Sequence, residues 1–430
     1  MKLTTNLENM RESVYACIKC NCCTYGPWPD NHTFCPIYAR DENFTFSGGG
    51  LVSLARAILK GRMDYSQALS DLAFTCVACG ACDVRCVIVR SINPEMALSD
   101  IIRLLRHELV KRNFVPEGPI RKMHNEVMKN RDLLGEIPEG TLRIPKTVQN
   151  DKADTLLVCE CIHTDTEVES LNRALSLLGK MERQVALFVD PGCCGSTLYD
   201  YGFWDELPAL VEDKWTKIKD FGNKKLLFIN PHCQEFMTNK YPKVLDNFKP
   251  FKGQHFSELL LDAFDEGRLK SKKMKKVKVS YHDPCFLGRG LGIYEAPRKV
   301  LAQLEGVEIV EMKRNREQSF CCGARGLGNY FENFAEGTAQ ERIDEFLHTK
   351  ADILLTACPY CKDIFGQVMG NEEHRVKDLA EFVSERIKHK QIRLSFSCVK
   401  EERCFQVSIP SLTFQEPPTN EREATFAGRA

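Results

Sequence analysis

The sequence lacks the features that would carry it into or across a membrane. Its first residues, MKLTTNLENMRESV, contain no apolar stretch like that of a signal peptide. No run of about 18 apolar residues occurs anywhere in the chain. We therefore predict a cytoplasmic protein without a direct membrane span, whose membrane association, if any, is made through a partner subunit.

The sequence also lacks an excess of charge and the common nucleotide-binding and hydrolytic motifs. Lys plus Arg and Asp plus Glu each number 59, which gives no strong field for nucleic acid or anionic lipid. No G-x-G-x-x-G follows a predicted strand, and neither H-E-x-x-H nor a Ser-His-Asp order is visible. We expect no nucleic-acid partner and no hydrolytic chemistry, and we assign any flavin or NAD to a partner protein.

Cysteine is abundant instead, with 21 in 430 residues. Disulfide frameworks suit small secreted domains, whereas a chain of this length without an export signal keeps its thiols reduced. Clustered cysteine in a reducing compartment usually binds metal, so we predict metal sites rather than disulfides.

Hydrophobic periodicity divides the chain into a helical part and an α/β part. Apolar residues at helical spacing in 51–61 and 95–112 predict helices within the first 130 residues. Short apolar runs predict buried strands at 155–158, 184–189, 225–229, 276–281 and 352–356. Amphipathic segments at 167–178 and 380–387 lie between them, and this alternation predicts mainly parallel sheets.

An internal repeat divides the α/β part into two halves. Cys161, Cys194 and Cys233 recur as Cys285, Cys322 and Cys358, at offsets of 124, 128 and 125 residues. A basic linker, SKKMKK (271–276), separates the copies. We predict domains at 1–130, 151–266 and 276–390, and a tail at 391–430 that packs on a partner or stays loose.

The helical part carries two motifs with the spacing of two-cluster ferredoxins. CVACGACDVRC (76–86) is C-x2-C-x2-C-x3-C, in which three thiolates hold one 4Fe-4S cube and the fourth reaches a second cube. CIKCNCC (17–23) repeats the triplet, but its fourth cysteine is delayed by an insertion, TYGPWPDNHTF. The crossed ferredoxin pattern predicts one cube on Cys17, Cys20, Cys23 and Cys86, and another on Cys76, Cys79, Cys82 and Cys35.

Two questions about the earlier motif stay open. Counting cannot decide whether Cys22 or Cys23 is the third ligand, although the C-x2-C-x2-C rhythm favours Cys23. The alternative for this motif is a structural zinc.

The second half of the repeat has the form C-x35-CC-x35-C-x2-C. Five thiolates exceed what one zinc or one cube needs, and adjacent cysteines cannot easily cap two corners of a regular cube. We therefore expect an expanded or bridged cluster. Cys285 and Cys358 each follow a predicted strand, and ligand sites of open α/β sheets lie at the carboxyl ends of strands.

Three segments of this half resemble the CCG-domain family, whose members include the B-type and D-type catalytic subunits of heterodisulfide reductase. They are HDPCFLGRGLGIYEAPRKVL (282–301), EMKRNREQSFCCGARG (311–326) and ADILLTACPYCK (351–362). Two ferredoxin motifs ahead of two CCG halves are similar to the D-type fusion. The resemblance implies a noncubane 4Fe-4S cluster, at a candidate substrate site, held by Cys285, Cys321, Cys322, Cys358 and Cys361. His282 and Asp283 could donate or accept hydrogen bonds near this site, but we favour strand-end turn residues.

The resemblance also implies the fold class. We predict an α+β multidomain protein, with a helical two-cluster ferredoxin-type N-terminal domain followed by two homologous α/β CCG domains related by a pseudo-twofold repeat.

The first half departs from the family pattern. Cys161 (or Cys159), Cys193, Cys194 and Cys233 match as metal ligands, but Phe236 stands where the last cysteine is expected. This site could hold a modified cluster, a different metal or nothing. His232 could replace the missing ligand, but we favour a neutral histidine that caps the following helix or faces solvent.

Two functions are consistent with these motifs. The first is a disulfide-reductase-like subunit that receives electrons through two cubes and passes them to a disulfide, thiol or related sulfur substrate at the noncubane cluster, in one-electron steps. The second is an electron wire without its own substrate, of the kind that the resemblance associates with flavoprotein oxidoreductases, benzoyl-CoA reduction and sulfite reduction. Both require redox partners, such as a flavoprotein, a ferredoxin-like protein or a membrane cytochrome subunit.

Overall fold

Short helices build the N-terminal part of the protein. The computed structural model describes residues 3, 6–26, 32–92, 97–130, 144, 147–159, 165–190, 192–222, 224–246, 248–324 and 334–388, and the predicted tail lies outside them. The helices are α1 (Arg11–Ala16), α2 (Pro36–Asp41), α3 (Gly48–Leu59), α4 (Gln67–Ala73), α5 (Ala81–Arg85), α6 (Val87–Ser91), α7 (Leu98–Lys111) and α8 (Pro119–Asn130). The helical prediction is confirmed.

Local sequence explains why these helices begin where they do. The Ser47 hydroxyl accepts a hydrogen bond from Gly50 N at the start of α3. The Ser66 hydroxyl accepts one from Leu69 N at the start of α4. Such caps satisfy backbone N–H groups that have no partner inside the helix. The apolar faces of α3 and α4 pack against α7, so α7 is the centre of this part.

Two four-stranded parallel sheets follow, with the same strand order in each half. The first is ordered β2-β1-β3-β4 and the second β6-β5-β7-β8. The strands are β1 (Thr155–Cys159), β2 (Ala186–Val189), β3 (Lys225–Phe228), β4 (Gly253–His255), β5 (Val277–His282), β6 (Val307–Ile309), β7 (Ile353–Thr356) and β8 (Val376–Asp378). Every ladder between these strands is parallel, which confirms the α/β prediction.

Helices connect the strands. They are α9 (Asp165–Lys180), α10 (Ser196–Tyr201), α11 (Leu207–Lys219), α12 (Pro231–Asn239), α13 (Tyr241–Val244), α14 (Phe256–Asp265), α15 (Glu295–Ala302), α16 (Phe334–His348), α17 (Pro359–Met369) and α18 (Leu379–Arg386). A π-helical turn, Phe286–Gly290, directly follows Cys285.

The sequence predicted the central strands but missed three outer ones. β4, β6 and β8 have three residues each. A three-residue strand is too short to show a period, so its pairing depends on the neighbouring strand rather than on a local signal.

The helical part docks on the first half through α7. Arg106, on α7, is fully buried and donates hydrogen bonds to the backbone carbonyls of Ala73 and Asp200. Gly202, at the end of α10, has a φ of +81°, and a Cβ there would lie 2.5 Å from His107 N. The absence of a side chain at Gly202 therefore allows α7 to approach closely.

His255 predicts a pH dependence of stability. Its Nδ1 accepts a hydrogen bond from Ser257 N at 3.2 Å, and its Nε2–H donates to Ile229 O at 3.1 Å. Burial lowers its pKa from 6.5 to about 4. Between these two values the unfolded chain binds a proton that the folded protein does not. We expect this contribution to be fully present above pH 6.5 and to be lost as the pH falls towards 4.

The measurement is urea unfolding of anaerobic protein at pH 7 and pH 5. His255→Asn should show a smaller loss of unfolding free energy than wild type between these pH values, because Asn can still cap α14 but does not titrate. Equal losses in the two proteins would contradict the assignment.

Candidate functional site

The cysteines of the second half converge on one edge of its sheet. Cys285 follows β5, the adjacent Cys321 and Cys322 follow β6, and Cys358 and Cys361 lie at the start of α17 after β7. β5 pairs with both β6 and β7 in parallel, so the carboxyl ends of all three strands meet. The fold thus brings together five thiols that are distant in sequence.

These five thiols form a continuous chain of neighbours. Cys322 Sγ lies 3.2 Å from Cys361 Sγ. Hydrogen bonds to Cys285 and Cys322 are the largest causes that raise the pKa of Cys321. Hydrogen bonding with Cys321 and Cys361 lowers the pKa of Cys322 well below its usual range. Cys358 is the next neighbour of Cys361.

A glycine turn presents the adjacent cysteines in each half. Gly323 has a φ of +79°, and its N–H donates to Cys321 Sγ at 3.4 Å. Gly195 has a φ of +96°, and its N–H donates to Cys193 Sγ at 3.3 Å. A backbone with positive φ is strained for residues other than glycine. The glycine of each CCG motif therefore has a conformational role and supplies an N–H donor to sulfur.

His282 and Asp283 are more than turn residues, contrary to the sequence-based expectation. Both are buried, and one ligand atom each of His282, Cys322 and Cys361 lies within 4.8 Å of the others. Arg342 Nε donates to His282 Nδ1 at 3.1 Å, which places the histidine proton on Nε2. Asp283 accepts two hydrogen bonds from Arg298, at 2.6 and 2.9 Å. These interactions fix the loop that carries Cys285.

In the helical part, four thiols of the two motifs surround one small cavity. Its lining includes Cys17, Cys20, Cys23 and Cys86, but not Cys22. Gly49 N donates to Cys23 Sγ at 3.2 Å, and a Cβ at Gly49 would lie 3.0 Å from that sulfur. The missing side chain thus leaves room for the thiol and for an N–H···S hydrogen bond.

A second group of thiols lies deeper in the helical part. Burial is the largest cause that raises the pKa of Cys35, and the neighbouring Cys76 and Cys79 raise it further. Burial is also the largest cause that raises the pKa of Cys82, and the neighbouring Cys76 and Cys79 raise it further. Cys35 and Cys82 are buried, and Cys76 and Cys79 are partly buried. Four such thiols at one place are unfavourable as free thiolates, but they become favourable when a cation neutralises them.

The deeper thiol group touches the site of the second half. A hydrogen bond with Cys321 is the largest cause that lowers the pKa of Cys79, to about 6. Cys35 and Cys321 also belong to one hydrophobic cluster, against which Cys285 packs. No local signal in the sequence indicates this contact, because the two thiols come from different domains.

The first half is arranged differently. Cys193, Cys194, Cys233 and Phe236 are buried in one hydrophobic core. Cys159 is buried in another core, together with Leu157. Side chains alternate along a strand, so Cys159 points away from the other three thiols. Cys161 lies outside the described residues.

The Phe236 ring fills the place next to the adjacent cysteines. A Cβ at Gly195 would lie 3.2 Å from the Phe236 ring, which also packs on Tyr199 and Tyr241. Among the described residues, only His282, Cys322 and Cys361 place three potential ligand atoms within 4.8 Å of one another. The described part of the first half therefore does not match the thiol arrangement of the second half.

His232 neither caps a helix nor faces solvent, so that expectation is wrong. Asn230 caps α12, and His232 is buried. The His232 ring bonds Ser196 Oγ at 3.1 Å and Asp200 Oδ2 at 3.3 Å. Both ring nitrogens are therefore engaged with protein groups.

The two ferredoxin-type thiol groups and the group in the second half fit iron-sulfur clusters. Each offers several cysteine sulfurs, which suit iron-sulfur clusters and soft metals. Backbone N–H groups point at Cys23 and Cys321. The buried Nε2 of His282 has no nitrogen or oxygen partner among the described protein groups, which leaves a donor for the neighbouring Cys322. Hydrogen bonds to sulfur are one means by which proteins tune such clusters.

Family models match most of the described chain. Residues 13–88 match a 4Fe-4S dicluster domain, and residues 157–238 and 279–365 match the cysteine-rich CCG domain.

Curated relatives agree with these matches. The D-type subunit of the dihydromethanophenazine:CoB–CoM heterodisulfide reductase of Methanosarcina mazei is 31% identical over 74% of this chain and 79% of its own length. Its counterpart from Methanosarcina barkeri is 28% identical over 86% and 93%. An EtfAB:quinone oxidoreductase of Syntrophomonas wolfei is 32% identical over 44% of this chain and 28% of its own length. The chain belongs to the CCG-domain iron-sulfur oxidoreductase family and is an electron-transfer protein similar to the D-type subunit of heterodisulfide reductase.

Proposed function

We propose that the protein passes electrons from a redox partner, through the two ferredoxin-type sites, to the thiol group of the second half, where a disulfide or related sulfur substrate is reduced. The packing of Cys79 and Cys321 in one hydrophobic cluster carries this proposal, because it joins the ferredoxin-type part to the CCG site. The proposed function also agrees with the names of the heterodisulfide reductase relatives.

The order of the sites supports an inward path. Cys20 is exposed, so the site of Cys17, Cys20, Cys23 and Cys86 is open to a partner. Cys23 is near enough to the deeper site for its charge to raise the pKa of Cys35 and of Cys82. The deeper site then touches Cys321. Adjacent sites of this kind allow electron transfer in short steps.

The ligand sets of the proposal follow this geometry. Cys17, Cys20, Cys23 and Cys86 would hold one cubane, and Cys35, Cys76, Cys79 and Cys82 the other. Cys285, Cys321, Cys322, Cys358 and Cys361 would hold the noncubane cluster. When bound, these clusters supply one-electron redox chemistry. We propose no cluster for the first half and assign Cys161, rather than Cys159, as the counterpart of Cys285.

The reaction needs two electrons and two protons for each disulfide. The sulfur–sulfur bond breaks and two thiols form, while a reduced flavoprotein or iron-sulfur protein is oxidised. The chain's own residues hold the thiolates, orient the loop of Cys285 through Asp283 and Arg298, and exclude water from Cys321 and Cys322. In this proposal the two sulfur atoms of the substrate disulfide do not bind to one equal site in each half, because the Phe236 ring fills the corresponding position in the first half.

An electron wire without its own substrate is the second candidate. The packed ring of Phe236 favours it, because only one half retains the full cysteine set. The quinone oxidoreductase relative shares 201 aligned residues with this chain. In this case a second redox subunit would take the electrons from the second half.

We further propose that the protein works in the cytoplasm and meets any membrane through its partner. Among the described residues, none of the helices combines the length and the apolar character that crossing a bilayer requires.

Iron analysis with EPR on anaerobically purified protein tests the proposal. We expect about twelve irons per chain from three four-iron clusters. A new paramagnetic signal should appear when the oxidised protein is treated with candidate thiols. About eight irons and no thiol-dependent signal would favour the electron wire, and bound zinc in place of iron would contradict both candidates.

A further inference from the structure

Arg289 lies where the ferredoxin-type part meets the second half. It belongs to the π-helical turn that follows Cys285. Its Nε donates to Cys79 O at 2.8 Å, and its Nη1 donates to Ser319 O at 2.6 Å. Cys79 belongs to the deeper ferredoxin-type site, and Ser319 precedes Cys321 by two residues. One guanidinium thus connects the backbones that carry both thiol groups.

The charge of Arg289 has an unusual set of neighbours. Arg298 and Arg103 pair with the carboxylates of Asp283 and Asp200, whereas the buried Arg106 donates to backbone carbonyls. Arg289 donates only to neutral backbone carbonyls among the described groups, and its buried Nη2 has no partner there. Burial acts to lower its pKa, but the nearby Cys79, Cys285 and Cys321 outweigh this and raise it. Arg289 as a whole is partly buried, and a cation withdrawn from water in this way favours negative charge nearby.

Two further arginines bind the same loop of the deeper site. Arg106 donates to Cys76 O, and Arg103 donates to Ala78 O at 3.1 Å. Together with Arg289, they place three guanidinium groups against the segment 76–79. The outer ferredoxin-type site has one comparable contact, between Arg56 and Cys17 O at 2.6 Å. Asp83 lies beside Cys82 and Asp200 pairs with Arg103, so Arg106 and Arg289 are the guanidinium groups of this loop that have no carboxylate partner among the described residues.

We propose that Arg289 is a positioning residue whose charge raises the reduction potentials of the deeper ferredoxin-type site and of the CCG site, so that electrons move inward from the outer site. Reduction adds negative charge, and a nearby cation stabilises the reduced form. In the step itself, the outer site loses one electron and the deeper site gains it. The first donor is a reduced redox partner, and the proposal rests on the proposed cluster ligands.

Redox titration followed by EPR tests the role of the charge in the holoprotein. The deeper site is identified as the signal lost in Cys35→Ser. In Arg289→Gln, we expect its equilibrium constant for reduction to fall at least tenfold, which is 59 mV for a one-electron centre. Arg289→Lys keeps the charge and should stay near wild type. Arg90→Gln removes an arginine that is 54% exposed and should leave the potential unchanged, because solvent screens that charge.

The iron content shows whether a variant has lost clusters, and it is therefore measured together with the potential. Loss of iron in Arg289→Gln, with wild-type iron and potential in Arg289→Lys, supports the requirement for a charge. A wild-type potential in Arg289→Gln, or equal defects in both variants, would overturn it. If wild type itself holds about eight irons, the proposed function of the CCG site fails, while the shift at the deeper ferredoxin-type site still tests Arg289.

Discussion

Replacement of Cys322 by serine should remove about four of roughly twelve irons and abolish the thiol-dependent EPR signal. Cys322 occupies the middle of the thiol chain, between Cys321 and Cys361. Its sulfur lies 3.2 Å from that of Cys361, so both would bind the same group of irons. Serine preserves the size of the side chain but is a much poorer ligand for iron in a sulfur-rich site.

The repeat provides a matched control for this substitution. Cys194 stands in the first half where Cys322 stands in the second, and it is also fully buried. Because Phe236 and its aromatic neighbours fill the space beside Cys194, we expect Cys194→Ser to keep the iron content of wild type. Iron loss in Cys194→Ser would show that the first half binds iron, and unchanged iron in Cys322→Ser would contradict the proposed noncubane site. Anaerobic iron analysis measures both.

Replacement of Asp200 by alanine should destabilise the protein by about 3–5 kcal/mol. Asp200 accepts a hydrogen bond from Arg103 Nε at 2.7 Å and bonds His232 Nε2 at 3.3 Å. The side chains of Asp200 and Arg103 are only 4% and 6% exposed. Burial opposes ionisation of Asp200, but Arg103 and His232 outweigh it and hold its pKa well below the usual range. Without Asp200, Arg103 loses its most buried counterion.

The loss of stability should come from the contact between the helical part and the first half, because Arg103 lies on α7 and Asp200 on α10. Urea unfolding of the anaerobic holoprotein measures the change. Glu8→Gln is the matched control, since its pair with Arg11 is exposed and solvent screening leaves it a small contribution to stability. The double variant Arg103→Met with Asp200→Ala should regain part of the stability, because no unpaired charge is then left. Equal effects of Asp200→Ala and Glu8→Gln would contradict a buried ion pair.

Much of the fold could be predicted from the sequence because its signals are local. The runs at 155–158 and 225–229 are apolar throughout most of their length, and a strand buried on both faces requires this pattern. The helix over 95–112 has apolar residues at helical spacing, which follow from packing one face. The family resemblance likewise depended on short segments around cysteines.

The parts that failed depend on distant partners. His232 fitted a helix cap by its position, yet Asn230 has that role and Asp200 binds the histidine from another helix. Cys159 and Cys161 could not be distinguished by spacing, whereas the alternation of side chains along β1 turns Cys159 away from Cys193 and Cys194.

The sequence by itself indicated the candidate cysteine ligands, because the spacing of neighbouring cysteines limits how many sulfurs can reach one group of irons. It also determined the order of helical and α/β parts, because hydrophobic period reflects local geometry. Only the tertiary structure decided how the sites connect. Arg289 and Cys79 are 210 residues apart in sequence, yet they are joined by a hydrogen bond. Contacts of this kind arise from the packing of separate elements, and no local pattern in the sequence encodes the distance between them.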